Sequence, residues 1–331
     1  MSNNLYKAFV VRENEDGSFS RSIEKKNIEE LPEGEVLIKV KYAALNYKDA
    51  LSSSGHKGIT REYPHTPGVD ACGIVVSSES AEFEKGDAVI VTSYDFGMNT
   101  SGGFQEYIRV PAKWPVKLPE GMSLEESMVL GTGGFTAALS LFKMEQNGQE
   151  PSMGPIVVTG ATGGVGSMAI SILALNGYEV IAASGKKKAH NYLKELGATE
   201  IISREETNDQ SGRPLLRPKW AGAIDTVGDN TLATCIKACG RNGSIAVCGL
   251  VESPKLETTV YPFILNGVNV LGIETAETPR AIRLKIWELL SKKWKPKHLD
   301  NIKKIISLDE LEPYIQLMLD GKSKGRVLVK F

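Results

Sequence analysis

Cysteine and histidine are scarce in this sequence, with four of each among 331 residues. No two cysteines form a CxxC pair, and the histidines are scattered along the chain. A structural zinc site needs four closely arranged Cys or His ligands, and this spacing does not supply them. The thiols are therefore predicted to be reduced and structural, as is usual in the cytosol.

The sequence also lacks a large net charge and long apolar runs. Its formal net charge is −1, so no basic field favours nucleic acid as a partner. No apolar run approaches the roughly 18 residues that suggest a membrane-spanning helix. The first 17 residues contain no apolar core of signal-peptide length. These absences predict a soluble cytoplasmic protein with neither nucleic acid nor membrane as a partner.

The pattern of elements changes once along the chain. Up to about residue 120, short alternating apolar runs stand between Gly, Pro and Ser, which is typical of a compact sheet or small barrel. From about residue 122, strand-like runs alternate with helix-like ones, which predicts right-handed βαβ units and a parallel sheet. The six predicted strands of this second part are 155–160, 178–183, 199–203, 221–227, 243–248 and 268–273.

The C-terminal tail contains two periodic helices and the short strand 326–331. A terminal strand must pair with a sheet, and the N-terminal sheet is the expected host. The predicted domains are therefore 1–122 with 277–331, and 123–276 between them.

A glycine-rich loop, VTGATGGVGS at residues 158–167, lies between a predicted strand and a predicted helix. This is the context of the dinucleotide fingerprint, in the variant spacing GxxGGxG. The glycines permit a tight turn and close approach of the backbone to a pyrophosphate on the positive helix end. The candidate phosphate-binding residues are Thr162, Gly163, Gly164 and Val165.

The end of the second predicted strand distinguishes NAD from NADP. An NAD site usually places Asp or Glu there, on the ribose 2′-hydroxyl. Here the sequence is Ser184-Gly185-Lys186, and Arg204 follows the third strand. A hydroxyl and two cations would bind the 2′-phosphate that a carboxylate would repel. The predicted cofactor is NADP(H).

Several motifs together resemble the medium-chain dehydrogenase/reductase superfamily over the whole chain. They are PGVDACG (67–73), GDAV (86–89), GGFQEY (102–107) and the glycine loop. Within the superfamily, the sequence is most similar to the bacterial acrylyl-CoA reductases, also called YhdH-type quinone oxidoreductases. The motifs for that narrower likeness are LNYKDAL (45–51), GTGGFTA (131–137), WAGAIDTVGD (220–229), PFIL (262–265) and GRVLVK (325–330).

The resemblance implies a GroES-like β-rich catalytic domain and a doubly wound Rossmann domain in an α/β protein. Zinc-dependent relatives carry a histidine ligand where this chain has Val69, and the four-cysteine lobe is missing. The expected protein is therefore zinc-free, with no Lewis acid to stabilise an alkoxide. Reduction of an activated C=C bond by NADPH is expected instead of alcohol oxidation.

The resemblance also implies site residues. Tyr47 is placed at the nicotinamide, where its phenol either bonds the substrate carbonyl, relays a proton or packs against the ring. Asn46 is a candidate for orienting cofactor or substrate, and Arg326 either reaches the site or forms a structural ion pair. Asp49 is expected to cap the following helix. Further cofactor contacts are expected from Thr132, Thr136, Leu250, Ile264 and Thr275.

Three functions are open at this level. The first is NADPH-dependent reduction of a small enoyl-CoA thioester, above all acrylyl-CoA. The second is an NADPH:quinone oxidoreductase, and the third is a cofactor-binding protein without turnover. Members of the superfamily tend to form dimers or tetramers, so the resemblance implies a homodimer or homotetramer. His65, which stands between prolines, is expected to be structural.

Overall fold

The computed structural model describes residues 4–331 and divides them into two compact units. The first comprises the described residues up to Thr132, with Ala276–Pro279 and Leu299–Phe331. The second comprises Gly133–Thr275 and Arg280–His298. This division differs from the predicted one at residues 123–132 and 276, which belong to the first unit, and in the tail, where 280–298 belong to the second unit. The reason is packing, because Trp287 of that segment is buried and lies against Phe135.

The strands of the first unit pair antiparallel, except for one parallel pair at the edge of its larger sheet. A two-stranded sheet pairs β1 with β2, and a seven-stranded sheet has the order β14-β15-β3-β4-β5-β7, with β6 also paired to β3. The strands are β1 (Leu5–Glu13), β2 (Phe19–Asn27), β3 (Val36–Leu45), β4 (Asp70–Ser78), β5 (Ala88–Thr92), β6 (Tyr107–Val110), β7 (Val116–Lys117), β14 (Lys303–Ile306) and β15 (Arg326–Lys330).

The terminal strand β15 pairs antiparallel with β3, in the register Val327 to Leu45 through Lys330 to Tyr42. The predicted pairing of the tail strand with the N-terminal sheet is confirmed. This pairing places the first residue of β15 beside the end of β3, where the chain enters helix α1 (Tyr47–Ser53).

The second unit has a six-stranded sheet of the order β10-β9-β8-β11-β12-β13, in which every neighbouring pair is parallel. All six predicted strands are present: β8 (Ile156–Val158), β9 (Val180–Ala183), β10 (Glu200–Ile202), β11 (Trp220–Asp225), β12 (Cys239–Val247) and β13 (Asn269–Gly272). Chain order reverses between β8 and β11. Such a switch point is where doubly wound sheets bind ligands, beyond the carboxyl ends of the strands.

Helices connect strands in both units. Besides α1, they are α2 (Leu124–Gln146), α3 (Gly164–Leu175), α4 (His190–Glu195), α5 (Asp229–Lys237), α6 (Tyr261–Asn266), α7 (Arg280–Ser291), α8 (Leu299–Ile302) and α9 (Leu311–Leu319). Helix α2 is interrupted at Gly131, whose φ of 49° and ψ of −154° lie outside the helical region.

Each unit has its own apolar core. In the second unit, residues such as Val157, Ala223 and Ile245 on adjacent strands pack with Leu232 and Ile236 of α5. Alternation of strand and helix in the sequence produces this layer, since each parallel strand buries both faces. None of the helices formed by residues 4–331 is long and apolar enough to span a bilayer.

Candidate functional site

The glycine loop leaves β8 and opens α3 at the switch point of the sheet. Gly160 has a φ of 57°, in the left-handed region that glycine tolerates best. A side chain at Gly160 would overlap the hydroxyl oxygen of Thr226. A side chain at Gly166 would overlap the backbone oxygen of Gly160, so this glycine permits the close approach of helix to strand.

The N-terminus of α3 presents backbone rather than side chains. Gly163 is the N-cap and supplies no side-chain cap, and Gly164 and Val165 form the first turn. The first N–H groups of a helix have no partner within the helix and carry its positive end. Bare backbone and a helix of 12 residues fit an anionic pyrophosphate at this position.

Ser184 and Lys186 follow the carboxyl end of β9, which pairs with β8, and Arg204 follows the carboxyl end of β10, which pairs with β9. The Arg204 side chain passes over Gly185, with its Cδ and Nε each 3.5 Å from the position of a Cβ there. Burial, and after it the charge of Arg204, lowers the pKa of Lys186. The three predicted 2′-phosphate residues therefore lie at the sheet edge that carries the glycine loop, with two cations close to each other.

Four further predicted contacts lie elsewhere in the second unit. Leu250 follows β12 and Ile264 lies on α6, and these residues are 61% and 69% exposed. Thr275 follows β13, and its carbonyl accepts a hydrogen bond from the Arg283 guanidinium at 2.8 Å. Thr136 on α2 is buried, and its carbonyl accepts from the Ser140 hydroxyl.

In the first unit, Asn46 and Tyr47 stand where β3 passes into α1. Tyr47 is the first residue of the helix and is 39% exposed. The Asp49 carboxylate accepts from the N–H of Asn46 at 2.7 Å and from the N–H of Val69 at 2.9 Å. Burial raises the pKa of Asp49 to about 7. The predicted capping role of Asp49 is confirmed, because it caps the helix that presents Tyr47.

Arg326 and Asp70 form a buried ion pair, with 3.0 Å between Nη2 and Oδ2. Arg326 Nη1 donates to the amide oxygen of Asn46 at 2.8 Å, and Nε donates to the carbonyl of Val129 at 3.1 Å. The Asn46 amide nitrogen donates to Asp70 at 2.8 Å. The guanidinium, which is in a residue only 3% exposed, is thus engaged inside the first unit.

Thr132 joins the same cluster. Its backbone N–H and its hydroxyl both donate to the Asp70 carboxylate, at 2.9 to 3.0 Å and 2.5 Å. Asp70 therefore connects Asn46, Arg326 and Thr132, which lie far apart in the sequence. Sequence reasoning missed Asp70 as a site residue, although it stands in the quoted PGVDACG motif, because nothing in the sequence names its partners.

Within residues 4–331, no group of three or more His, Cys, Asp or Glu side chains is arranged to hold a metal ion. Val69, which replaces the histidine of zinc-dependent relatives, is a buried apolar residue. The expectation of a zinc-free protein stays a prediction, which metal analysis of the purified protein would test.

Family comparisons agree with this architecture. Residues 32–120 match the family model described as the alcohol dehydrogenase GroES-like domain, and residues 164–292 match the zinc-binding dehydrogenase model. A GroES-like unit and a Rossmann-type parallel sheet define the class of the protein and confirm the predicted fold class.

Among the relatives, YhfP of Bacillus subtilis, which bears a quinone oxidoreductase name, is 45% identical over 327 residues, with 98% of this chain and 99% of that protein covered. Acrylyl-CoA reductase AcuI of Ruegeria pomeroyi is 39% identical over 326 residues, with 98% and 99% covered. The chain belongs to the medium-chain dehydrogenase/reductase superfamily, and the predicted likeness to the YhdH-type proteins is confirmed.

Two crystal structures closely resemble the structure of this chain. That of YhdH from Salmonella enterica in complex with NADP has a TM-score of 0.95 at 40% identity and covers 98% of this chain and 99% of its own. That of B. subtilis YhfP with NAD bound has a TM-score of 0.96 at 44% identity and covers 99% of each chain. Relatives at similar distances thus hold either dinucleotide.

Proposed function

We propose that this protein is an NADPH-dependent reductase of the activated C=C bond of a small enoyl-CoA thioester, with acrylyl-CoA as the leading substrate. The observation that carries the proposal is the identity to an acrylyl-CoA reductase over 98% of the chain. The LNYKDAL motif forms the capped start of α1 and presents Tyr47 there, which supports an active rather than a vestigial site.

The preference for NADP(H) rests on the second unit. Ser184, Lys186 and Arg204 present a hydroxyl and two cations beyond neighbouring strands. The negative charge of a 2′-phosphate offsets the repulsion between two close cations, whereas the uncharged 2′-hydroxyl of NAD(H) does not. NADP in the YhdH relative agrees with this preference, and NAD in YhfP makes it worth measuring directly.

When bound, NADPH supplies a hydride to the β-carbon of the enoyl thioester. We infer that the Tyr47 phenol donates a hydrogen bond to the thioester carbonyl oxygen, where negative charge develops. The proton that completes the reduction is added at the α-carbon, from water or from a side chain. Asn46 and Arg326 act through Tyr47 in this proposal. Asn46 directly precedes Tyr47 and is fixed by its hydrogen bonds with Asp70 and Arg326.

A second candidate is an NADPH:quinone oxidoreductase. The specific observation in its favour is the name borne by YhfP, which is 45% identical to this chain. A quinone also accepts a hydride and develops charge on a carbonyl oxygen, so the same tyrosine would serve it. The two candidates differ in whether the protein recognises coenzyme A.

The deciding experiment follows the loss of absorbance of NADPH with acrylyl-CoA in one reaction and phenanthrenequinone in another. Each reaction is repeated with NADH, and the thioester reaction is repeated with an acrylyl ester that lacks coenzyme A. The expected result is a high kcat/KM for acrylyl-CoA with NADPH, and a much lower value for each of the other combinations.

A high kcat/KM for the quinone, with little turnover of the thioester, would replace the first candidate by the second. No turnover of either substrate by a protein that still binds NADPH would favour the third possibility, a cofactor-binding protein without turnover.

A further inference from the structure

A buried carboxylate links three loops at the carboxyl edge of the second unit's sheet. Asp225 is the last residue of β11 and is fully buried. Its Oδ1 accepts from the Thr159 hydroxyl at 2.6 Å, and its Oδ2 accepts from the N–H of Gly228 at 2.8 Å. Its backbone carbonyl accepts from the N–H of Cys248 at 3.0 Å. One residue therefore contacts the loops that follow β8, β11 and β12.

Thr159 is the residue between β8 and the glycine loop, and its hydroxyl has two fixed partners. Its oxygen accepts from the N–H of Thr226 at 3.0 Å while its hydrogen is donated to Asp225. The Thr226 hydroxyl in turn donates to the carbonyl of Thr159 at 3.1 Å. Together these hydrogen bonds fix the orientation of the Thr159 hydroxyl and the distance between the loops that follow β8 and β11.

A steric contact extends this link to the glycine loop. The Thr226 hydroxyl occupies the space that a side chain at Gly160 would need. A shift of the loop after β11 would therefore move the backbone at Gly160, three residues before the bare N-terminus of α3. Donors that bind an anion must be held to within about half an ångström, so support of this kind affects affinity.

We propose that Asp225 and Thr159 are positioning residues that hold the glycine loop in the geometry that binds the dinucleotide. They act through the backbone of the loop and not by touching the ligand. This inference rests on the proposed function, because it assumes that the loop binds NADP(H).

The test compares valine and serine variants by calorimetric titration of NADPH in the absence of any substrate. Thr159→Val removes the hydroxyl and keeps the shape, whereas Thr159→Ser keeps the hydroxyl. The dissociation constant of Thr159→Val is expected to rise by about tenfold or more, the loss that corresponds to one internal hydrogen bond. That of Thr159→Ser should stay within about twofold, and kcat at saturating NADPH should change little in both.

Thr226→Val and Thr226→Ser repeat the comparison at a partly exposed position, in case the valine at 159 prevents folding. A residue that only stabilises the fold would lower the melting temperature and leave the dissociation constant of the folded protein unchanged. Wild-type affinity in folded valine variants would therefore overturn the inference. Failure of the wild-type protein to bind NADPH would overturn the proposed function and this inference with it.

Discussion

At the scale of the residue, the phenol of Tyr47 is the group that the proposed function places at the thioester carbonyl oxygen. It is partly exposed on the first turn of α1, so it is available to a ligand. Tyr47→Phe is expected to lower kcat by about tenfold or more if the hydroxyl stabilises developing charge or relays a proton. Steady-state kinetics at saturating NADPH measures this directly.

Tyr63→Phe is the matched control, because its hydroxyl donates to the carbonyl of Ser52 within the first unit. This control variant should affect stability more than kcat. An unchanged kcat in Tyr47→Phe would mean that the ring only packs against the nicotinamide.

Lys186 carries the prediction about cofactor choice. Lys186→Glu replaces a cation near Arg204 by an anion, which removes one charge-assisted contact and repels a 2′-phosphate. The KM for NADPH should rise on the order of 10- to 100-fold, with a much smaller change for NADH. Lys188→Glu makes the same charge change two residues later at an exposed position and should leave both constants nearly unchanged. Equal effects of Lys186→Glu on the two cofactors would contradict the 2′-phosphate assignment.

At the scale of the element, the interruption of α2 depends on Gly131. A side chain there would overlap Asp70 Oδ2 and would crowd the Arg326 guanidinium. Gly131→Ala should therefore disturb the buried ion pair as well as strain the backbone. Gly148, which has a φ of 82° and no neighbour within 4 Å of a Cβ position, isolates the strain alone.

Gly148→Ala should lower the free energy of unfolding by about 1–2 kcal/mol. Gly131→Ala should lower it by several times that amount, since breaking a buried ion pair adds about 3–5 kcal/mol. Chemical denaturation of both variants measures the difference. Equal losses would mean that the cluster around Asp70 tolerates a side chain at this position.

At the scale of the whole molecule, stability should depend on pH through His65. This residue is buried, and its Nε2 lies 3.1 Å from the carbonyl oxygen of Gly97. Burial lowers the pKa of His65. The unfolded chain then binds more protons than the folded one below the ordinary histidine pKa of about 6.5. The stabilising contribution is present above that pH and is lost as the pH falls.

The melting temperature of His65→Gln relative to wild type tests this. The advantage of the wild-type protein should shrink as the pH falls from 8 to 5.5, on either side of the ordinary value of about 6.5. A difference that stays constant over this range would show that His65 does not titrate on unfolding.

The predicted homodimer or homotetramer is a second property of the whole molecule. Light scattering of the same preparations would measure the oligomeric state.

Much of the second unit could be predicted because its signals are local. Each strand is a short apolar run, each helix has its own period, and the glycine loop lies between the two. These local patterns predict all six strands, and Ser184, Lys186 and Arg204 lie together because parallel strands end at one edge. The domain boundaries are harder to predict from the sequence than the strands are. Residues 280–298 belong to the second unit because side chains such as Trp287 are buried there.

The polar clusters could not be predicted in the same way. Asp70 and Arg326 are 256 residues apart, and Thr159 and Asp225 are 66 apart. No local period or spacing records such a pairing, because each side chain is placed by a different strand. Motifs identify Asn46 and Arg326 as candidate site residues, but only the packed sheet shows their partners.

The sequence by itself determined the two kinds of architecture, the dinucleotide loop and the cationic residues that favour NADP(H), since backbone freedom, apolar period and charge are properties of short segments. Only the tertiary structure decided which polar groups meet. It closed β15 onto β3 and so brought Arg326 to Asn46, and it set β8 beside β11 and so brought Thr159 to Asp225. Hydrogen bonds between distant segments form only where strand pairing places both partners within about 3 Å.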